Sequence, residues 1–331
     1  MISRSNVVKM LFLTFVLILF IACAGAQAPA PAVSLAKASA NPCLRYQPRD
    51  FWMVGHLDCR AYFQFANSSQ SGNPAMGLAL NQYIQAIEGM VGINLQTDVQ
   101  YAMFYVAGNP ETDLRALSVI KGSFDNSAVN MRLGFTAGLL MKAVDYNGMT
   151  IYENEGAGYC FPESSTILAG DSGLIRQSLD GIKIKGSRLP KNLERLLDKT
   201  NGASIGWAAA KPASFMQIDY IRSFKEAQPA FAQRLSGQDF ISVSFEQASD
   251  GATARALTFF SDTAKAKNFH EYLENWRKSI LKKEGANIFF CSFLLSSETS
   301  VEGTFVRWNL RLTRKALSDL MKTKVVLVPS E

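Results

Sequence analysis

Two pairs of closely spaced carboxylates are the first side chains in this sequence that could carry out chemistry. Glu153 and Glu155 lie near a predicted turn, and Glu111 and Asp113 occupy a predicted hairpin loop. Paired carboxylates can act as acid, base or nucleophile in sugar hydrolysis, so a hydrolase is one hypothesis. Most loop carboxylates are simply solvated. The hydrolase hypothesis therefore requires that these side chains converge in one cleft with shifted pKa values.

Ser172 lies in the tetrapeptide Gly170-Asp171-Ser172-Gly173, and His56 precedes it in the chain. The tetrapeptide resembles the sequence around the nucleophile of chymotrypsin-like serine proteases. Leu174-Ile175-Arg176 follows in place of that family's Gly-Pro and continues as a predicted helix, whereas the family is a pair of β-barrels. We therefore predict that Asp171 or Ser172 caps a helix. A serine-dependent hydrolase that uses the Ser172 region stays an alternative.

The chain has two histidines, His56 in a predicted strand and His270 in a predicted helix. Metal sites without cysteine clusters usually combine several histidines with carboxylates, so we expect no metal here. The glycines match neither a phosphate loop nor a dinucleotide fingerprint, so we expect no cofactor. The sequence thus assigns no catalytic, cofactor-binding or metal-binding residue and favours a protein that is not an enzyme.

Cysteine spacing gives one pairing hypothesis. Cys43 and Cys59 flank the first predicted strand, and in an exported chain a disulfide between them is the easiest to form. Cys160 and Cys291 lie in apolar runs and are expected to be buried thiols or a second disulfide. The sequence has no C-x-x-C pair, so neither thiol–disulfide exchange nor a structural zinc site is indicated.

The amino-terminal segment is typical of a signal peptide. Arg4 and Lys9 precede an apolar run over residues 10–22. This run is shorter than the roughly 20 residues that cross a bilayer. The small residues Ala24-Gly25-Ala26 fit signal-peptidase cleavage before Gln27. Residues 1–26 are therefore predicted to direct export.

Phe20-Ile21-Ala22-Cys23 also resembles the lipobox of bacterial lipoproteins, although Phe20 replaces the usual leucine. Cys23 is thus a candidate lipidation site, and an uncleaved membrane anchor is a third alternative. Each alternative places the protein outside the cytoplasm of a bacterium, either in the periplasm or tethered to a membrane of the cell envelope.

Residues 27–42 are rich in Ala and Pro and are predicted to form a flexible tether. The remaining chain has the composition of a folded protein, because 48% of the 331 residues are hydrophobic and 19% are charged. The formal net charge of +6 is modest. The densest basic segment, residues 183–199, is interrupted by Glu194 and Asp198. We therefore expect no nucleic-acid partner.

The apolar periodicities predict an α+β fold in which mainly antiparallel sheets are covered by helices. Residues 43–185 and 186–331 both read as β-α-β-β-α-β-β-α, which predicts two similar halves and an internal duplication. A single α+β domain is the alternative. Predicted strands cover residues 51–58, 101–106, 114–124, 149–153, 160–169, 203–210, 241–245, 252–260, 288–295 and 301–312. Predicted helices cover residues 74–90, 190–198 and 316–321, and three more begin at the candidate caps Asp125, Asp171 and Asp262. Another predicted helix is lined by Phe215, Ile218, Ile221 and Phe224, and Pro229 is expected to kink or end it.

Aromatic residues are the remaining candidates for function. One cluster comprises Phe51, Trp52, Tyr62, Phe63 and Phe65, and another apolar run covers residues 289–295. Such runs belong to covered strands of a core or line a cavity for an apolar ligand.

The sequence therefore favours an exported envelope protein that binds an apolar ligand or a protein partner without catalysis. A carboxylate- or serine-dependent periplasmic hydrolase and a structural or assembly protein of the envelope are the alternatives.

Overall fold

The computed structural model describes residues 37–62, 92–136, 141–182, 189–200, 204–218, 229–248, 251–281 and 297–313. The chain divides into two units, Asn41–Leu189 and Pro190–Glu331, and residues 37–40 belong to the second. Within the described ranges, no helix combines the length and apolar character that a membrane span requires. The predicted amino-terminal signal with Cys23, the segments at 74–90, 288–295 and 316–321, and Phe63, Phe65 and Cys291 lie outside the described residues.

The first unit is built on an antiparallel sheet with the strand order β1-β2-β3-β7-β6-β5-β4. Its strands are β1 (Met53–Asp58), β2 (Val99–Ala107), β3 (Arg115–Gly122), β4 (Lys142–Tyr146), β5 (Met149–Asn154), β6 (Ala157–Glu163) and β7 (Thr166–Asp171). Its helices are α1 (Asn126–Thr136), α2 (Ser172–Ile182) and a 3-10 helix (Pro42–Tyr46).

Helices α1 and α2 lie on opposite faces of this sheet. The side chain of Asn130 in α1 accepts a hydrogen bond from Tyr159, while Arg176 in α2 forms an ion pair with Glu153. Glu153 is paired with Gly158, the neighbour of Tyr159, and successive residues of a strand point to opposite faces. The sheet is therefore covered on both sides.

The second unit contains an antiparallel sheet with the strand order β8-β9-β10-β12-β11. Its strands are β8 (Gly206–Ala210), β9 (Ile241–Ala248), β10 (Gly251–Phe259), β11 (Ser297–Glu302) and β12 (Phe305–Thr313). Its helices are α3 (Lys191–Lys199), α4 (Pro212–Phe215), α5 (Pro229–Ser236), α6 (Thr263–Leu281) and a 3-10 helix (Ala38–Ala40).

This second sheet is also covered on both faces. Thr200, which follows α3, hydrogen-bonds through its hydroxyl to Ser242 at 3.0 Å. The side chains of α5 and α6 pack instead with Val306. Val306 is paired with Thr258, whereas Ser242 is paired with Leu257, the neighbour of Thr258. Strand alternation therefore puts α3 on one face and α5 with α6 on the other.

Two predicted strands are wrong in the same way, because each is a hairpin. The predicted strand at 160–169 is divided into β6 and β7, and the one at 301–312 into β11 and β12. Gly303 makes the second turn with φ of +60°, a conformation that favours glycine. The prediction also missed β4, which the turn at Asn147-Gly148 joins to β5.

Pro229 begins helix α5, and the helix predicted before it runs through residues 219–228, outside the described residues, so the prediction that Pro229 kinks or ends that helix stays a prediction. Proline is favoured at the first position of a helix, because its missing N–H would have no helical partner there and its φ already suits the helix.

The α+β fold with antiparallel sheets covered by helices is confirmed. The order β1-β2-β3-β7-β6 in the first unit corresponds to β8-β9-β10-β12-β11 in the second. In both units a helix with an aspartate cap follows the third strand, after Asp125 and after Asp262. The internal duplication stays a prediction that this correspondence favours.

Candidate functional site

The predicted helix cap at Asp171 is confirmed. Its Oδ1 accepts a hydrogen bond from the backbone N–H of Leu174 at 2.9 Å, and α2 begins at Ser172. Ser172 is buried, and its own N–H donates to the carbonyl of Gly156. Both residues therefore have a structural role at the start of the helix.

We expect Asp171→Ala to lower the free energy of unfolding by about 1 kcal/mol, because the change removes the acceptor that caps α2. Urea unfolding followed by circular dichroism measures this loss. Asp50→Ala, at an exposed bend, is the matched control and should have no measurable effect. Equal stability of both variants would contradict a capping role.

His56 does not reach Ser172. His56 is paired with Met103, which lies beside Val119 and then Leu168 along the same row of the sheet. Three strand spacings of roughly 4.8 Å separate His56 from β7, or about 14 Å. A serine nucleophile needs its base within hydrogen-bonding distance, so these two residues cannot form a triad.

The candidate carboxylates lie at one end of the first sheet, Glu153 within β5 and the other three in loops, and two of the four form local ion pairs. Glu153 pairs with Arg176 at 2.8 Å, and Asp113 pairs with Arg115 at 3.2 Å. Glu155 is exposed on the turn between β5 and β6, and Glu111 is exposed in the loop between β2 and β3. Within the described ranges, no three His, Cys, Asp or Glu side chains are grouped so that they could hold a metal.

Cys43 and Cys59 are free thiols, so the predicted disulfide is absent from the structure. The Cys43 sulfur lies 4.0 Å from the Tyr101 hydroxyl, and the Cys59 sulfur lies 3.9 Å from the carbonyl of Leu57. Burial raises the pKa of the Cys43 thiol to about 11 and that of Cys59 to about 12. Both are therefore protonated at neutral pH and poor nucleophiles.

The aromatic residues Phe51, Trp52 and Tyr62 are buried in the first unit, which supports the core-packing interpretation for them. Phe51 packs edge to face against the buried ring of Tyr105.

A different surface, in the second unit, has the character of a binding site. It is the half-buried apolar part of the sheet face that carries α5 and α6. We define the alanine strip as Ala208 of β8, Val243 and Phe245 of β9, and Ala254 and Ala256 of β10, all of which are half-buried. Backbone pairing aligns Ala208 with Val243, Val243 with Ala256, and Ala256 with Trp308 of β12.

Three of the five side chains of the strip are alanines, which extend little from the sheet. Alanine adds only one carbon to the backbone, so the side chains of Ala208, Ala254 and Ala256 are the smallest apolar side chains of the strip. Helix α6 packs along β11 and β12 rather than over the strip. The strip is thus apolar surface that the described helices leave partly open.

An aromatic cluster borders the strip. The ring of Trp276 in α6 lies 4.9 Å from that of Phe231 in α5 and 6.0 Å from that of Trp308, measured between centroids. Arg234 lies over the Tyr272 ring at 4.3 Å. Trp276 and Trp308 are half-buried, so they combine a rigid apolar wall with partial access to solvent.

A polar corner lies beside Trp308. Thr299 is paired with Trp308, and its hydroxyl donates a hydrogen bond to the carboxylate of Glu274. Arg277 forms an ion pair with the same carboxylate at 2.8 Å. Arg277 also donates to the carbonyl of Ser297 at 2.7 Å. The hydrogen bond from Thr299 and the charge of Arg277 hold the pKa of the Glu274 carboxyl below its usual value.

Three buried polar atoms in this region have no hydrogen-bond partner within the described part of the chain. They are Nε1 of Trp308, Nε of Arg277 and Oγ1 of Thr258. A buried donor without a partner costs about 1–3 kcal/mol. Such atoms indicate where a ligand could supply the missing acceptor.

The opposite face of the same sheet is covered by α3 over part of its area. Trp207 and Ala209 are fully buried there, and so are Leu193, Leu196 and Leu197 of α3.

Sequence reasoning missed this strip. Its signal was the alternation of small residues in Ala252-Thr253-Ala254-Arg255-Ala256. With a period of two, this alternation puts alanine at every position on one strand face. The prediction used the segment only as a hairpin partner.

No protein-family model matches this chain, and no curated protein matches it in sequence. Among solved structures, crystal form I of TP0453 is 12% identical with a TM-score of 0.43, over 86% of this chain and 98% of that chain. Crystal form III of TP0453 is 12% identical with a TM-score of 0.45, over 86% and 99%. A likeness this weak indicates nothing about function.

Proposed function

We propose that this protein is an exported protein of the bacterial cell envelope that binds an apolar molecule on the alanine strip. Three features of the amino-terminal sequence support export: the cationic start, the short apolar run and the small residues before Gln27. Cys23 lipidation or an uncleaved segment would tether it to a membrane, and cleavage would release it into the periplasm.

The half-buried alanine strip beside Trp276 and Trp308 is the observation that supports ligand binding. Sites for apolar ligands combine apolar and aromatic walls with a few polar groups that fix orientation. The strip supplies the apolar floor, the two tryptophans supply a wall, and the corner at Arg277 supplies the polar groups. An acyl chain matches this arrangement, because it is flexible, narrow and apolar.

The test uses the full chain, produced with its own leader in a bacterial host and purified from the envelope fraction. The neutral dye N-phenylnaphthylamine fluoresces in apolar surroundings and reports occupancy. We expect the protein to enhance the dye's fluorescence and methyl palmitate to reverse the enhancement. Absence of any enhancement, or recovery of the unprocessed chain from the cytosol alone, would contradict the proposal.

A further inference from the structure

Two buried N–H donors lie at the same corner of the second unit. Nε1 of Trp308 and Nε of Arg277 are buried, and neither donates a hydrogen bond within the described residues. Trp308 is paired with Thr299, whose hydroxyl donates to Glu274, and Glu274 holds Arg277 in an ion pair. One short chain of contacts therefore connects the two donors.

The corner adjoins the alanine strip directly. Ala256 is the pairing partner of Trp308 on the opposite side from Thr299. Residues paired across a sheet have Cβ atoms about 5 Å apart. An apolar chain that lies on Ala254 and Ala256 would therefore bring a group at its end within reach of Trp308.

The charge at this corner is balanced. Arg277 is neutralised by Glu274 at 2.8 Å, and His270 faces the same carboxylate from one turn earlier in α6. A ligand carboxylate placed here would be desolvated beside the carboxylate of Glu274, and Arg277 is already paired with that carboxylate. A neutral carbonyl has no such cost, and its two lone pairs can accept from two N–H donors.

We infer that Trp308 Nε1 and Arg277 Nε donate hydrogen bonds to the neutral carbonyl of an acyl ester whose chain lies on the alanine strip. This inference rests on the proposed function and specifies its ligand. Both donors acquire an acceptor when the ester binds, which removes the cost of leaving them buried and unpaired.

The test compares three competitors of N-phenylnaphthylamine on the full chain, namely hexadecane, methyl palmitate and palmitic acid. The wild type should bind methyl palmitate more tightly than the other two. Trp308→Phe keeps an aromatic ring and removes the N–H, and Arg277→Lys keeps the charge and removes Nε. Each substitution should lower the affinity for methyl palmitate about fivefold, which corresponds to the loss of one hydrogen bond, and should leave the affinity for hexadecane unchanged. Lys278→Gln, the exposed neighbour on α6, should change none of the three.

Each contrary result has a distinct meaning. If palmitic acid binds more tightly than the ester, the inference of a neutral carbonyl is wrong and the site prefers an anionic head group. If Trp308→Phe lowers the affinities for hexadecane and methyl palmitate equally, Trp308 contributes only packing, and this result also contradicts the inference. If no competitor displaces the dye from the wild type, the proposed function itself fails.

Discussion

Ala256→Trp should weaken the binding of methyl palmitate by at least about tenfold, because an indole at this position fills the centre of the alanine strip. Each buried methylene contributes about 0.8 kcal/mol, so displacing two from the strip is enough for this loss. Ala256 is half-buried, so part of its side chain is accessible to solvent. Displacement of N-phenylnaphthylamine by the ester measures the change.

Ala264→Trp is the matched control, since Ala264 is an exposed alanine at the start of α6 and does not belong to the strip. It should bind methyl palmitate like the wild type. Thermal unfolding of both variants establishes whether they are folded to the same extent. Wild-type affinity in a folded Ala256→Trp variant would show that the ligand lies elsewhere.

Lowering the pH from 7 to 4 should destabilise the first unit by about 3 kcal/mol through His56 alone. The His56 side chain is fully buried, and desolvation lowers its pKa from 6.5 to about 4. Below pH 6.5 the unfolded chain binds a proton at this histidine, whereas the folded protein binds one only below about 4. The unfolded state therefore gains stability as the pH falls through this window.

Two neighbours of His56 shape this response. The Tyr101 ring lies 5.5 Å from the imidazole and stays uncharged throughout, because burial raises its pKa. Asp58 lies two residues further along β1 on the same face. Burial raises the pKa of its carboxyl, so Asp58 opposes the loss at the acidic end of the window.

Urea unfolding at several pH values between 4 and 7 measures the effect. The loss between pH 7 and pH 4 should be about 3 kcal/mol smaller in His56→Gln than in the wild type, and the part that remains comes from carboxyls with lowered pKa values such as Glu274. His270→Gln changes the only other histidine of the chain and should retain the loss. An unchanged pH dependence in His56→Gln would refute the assignment.

The sequence predicted the elements whose signals are local. Asp125, Asp171 and Asp262 each cap a helix as their positions indicated, because a side-chain acceptor before an apolar periodicity needs no tertiary information. The helix predicted at residues 190–198 is α3, whose Leu193, Leu196 and Leu197 recur at helical spacing and are buried. The strand β9 was predicted correctly from the alternation of apolar residues with serine, but the burial is reversed, because Ser242 and Ser244 are buried whereas the apolar residues between them are half-buried.

The failures involve tight turns inside apolar runs and contacts between distant segments. Ser164 and Ser165 turn the chain between β6 and β7, and the apolar residues on both sides concealed that turn. Glu274 and Arg277 meet through helix spacing, but only the packing of α6 on β11 brings Thr299 and its pairing partner Trp308 to them. The spacing of these residues in the sequence could not predict that meeting.

Photo-crosslinking tests the central claim most directly. A palmitoyl ester with a diazirine on its chain is bound to the full protein and irradiated, and the modified peptides are identified by mass spectrometry. We expect modification in β9 and β10, around Val243, Ala254 and Ala256, and suppression of it by excess methyl palmitate. Labelling confined to α3, to the first unit, or to sites that the competitor does not protect would contradict an acyl-binding site on the alanine strip.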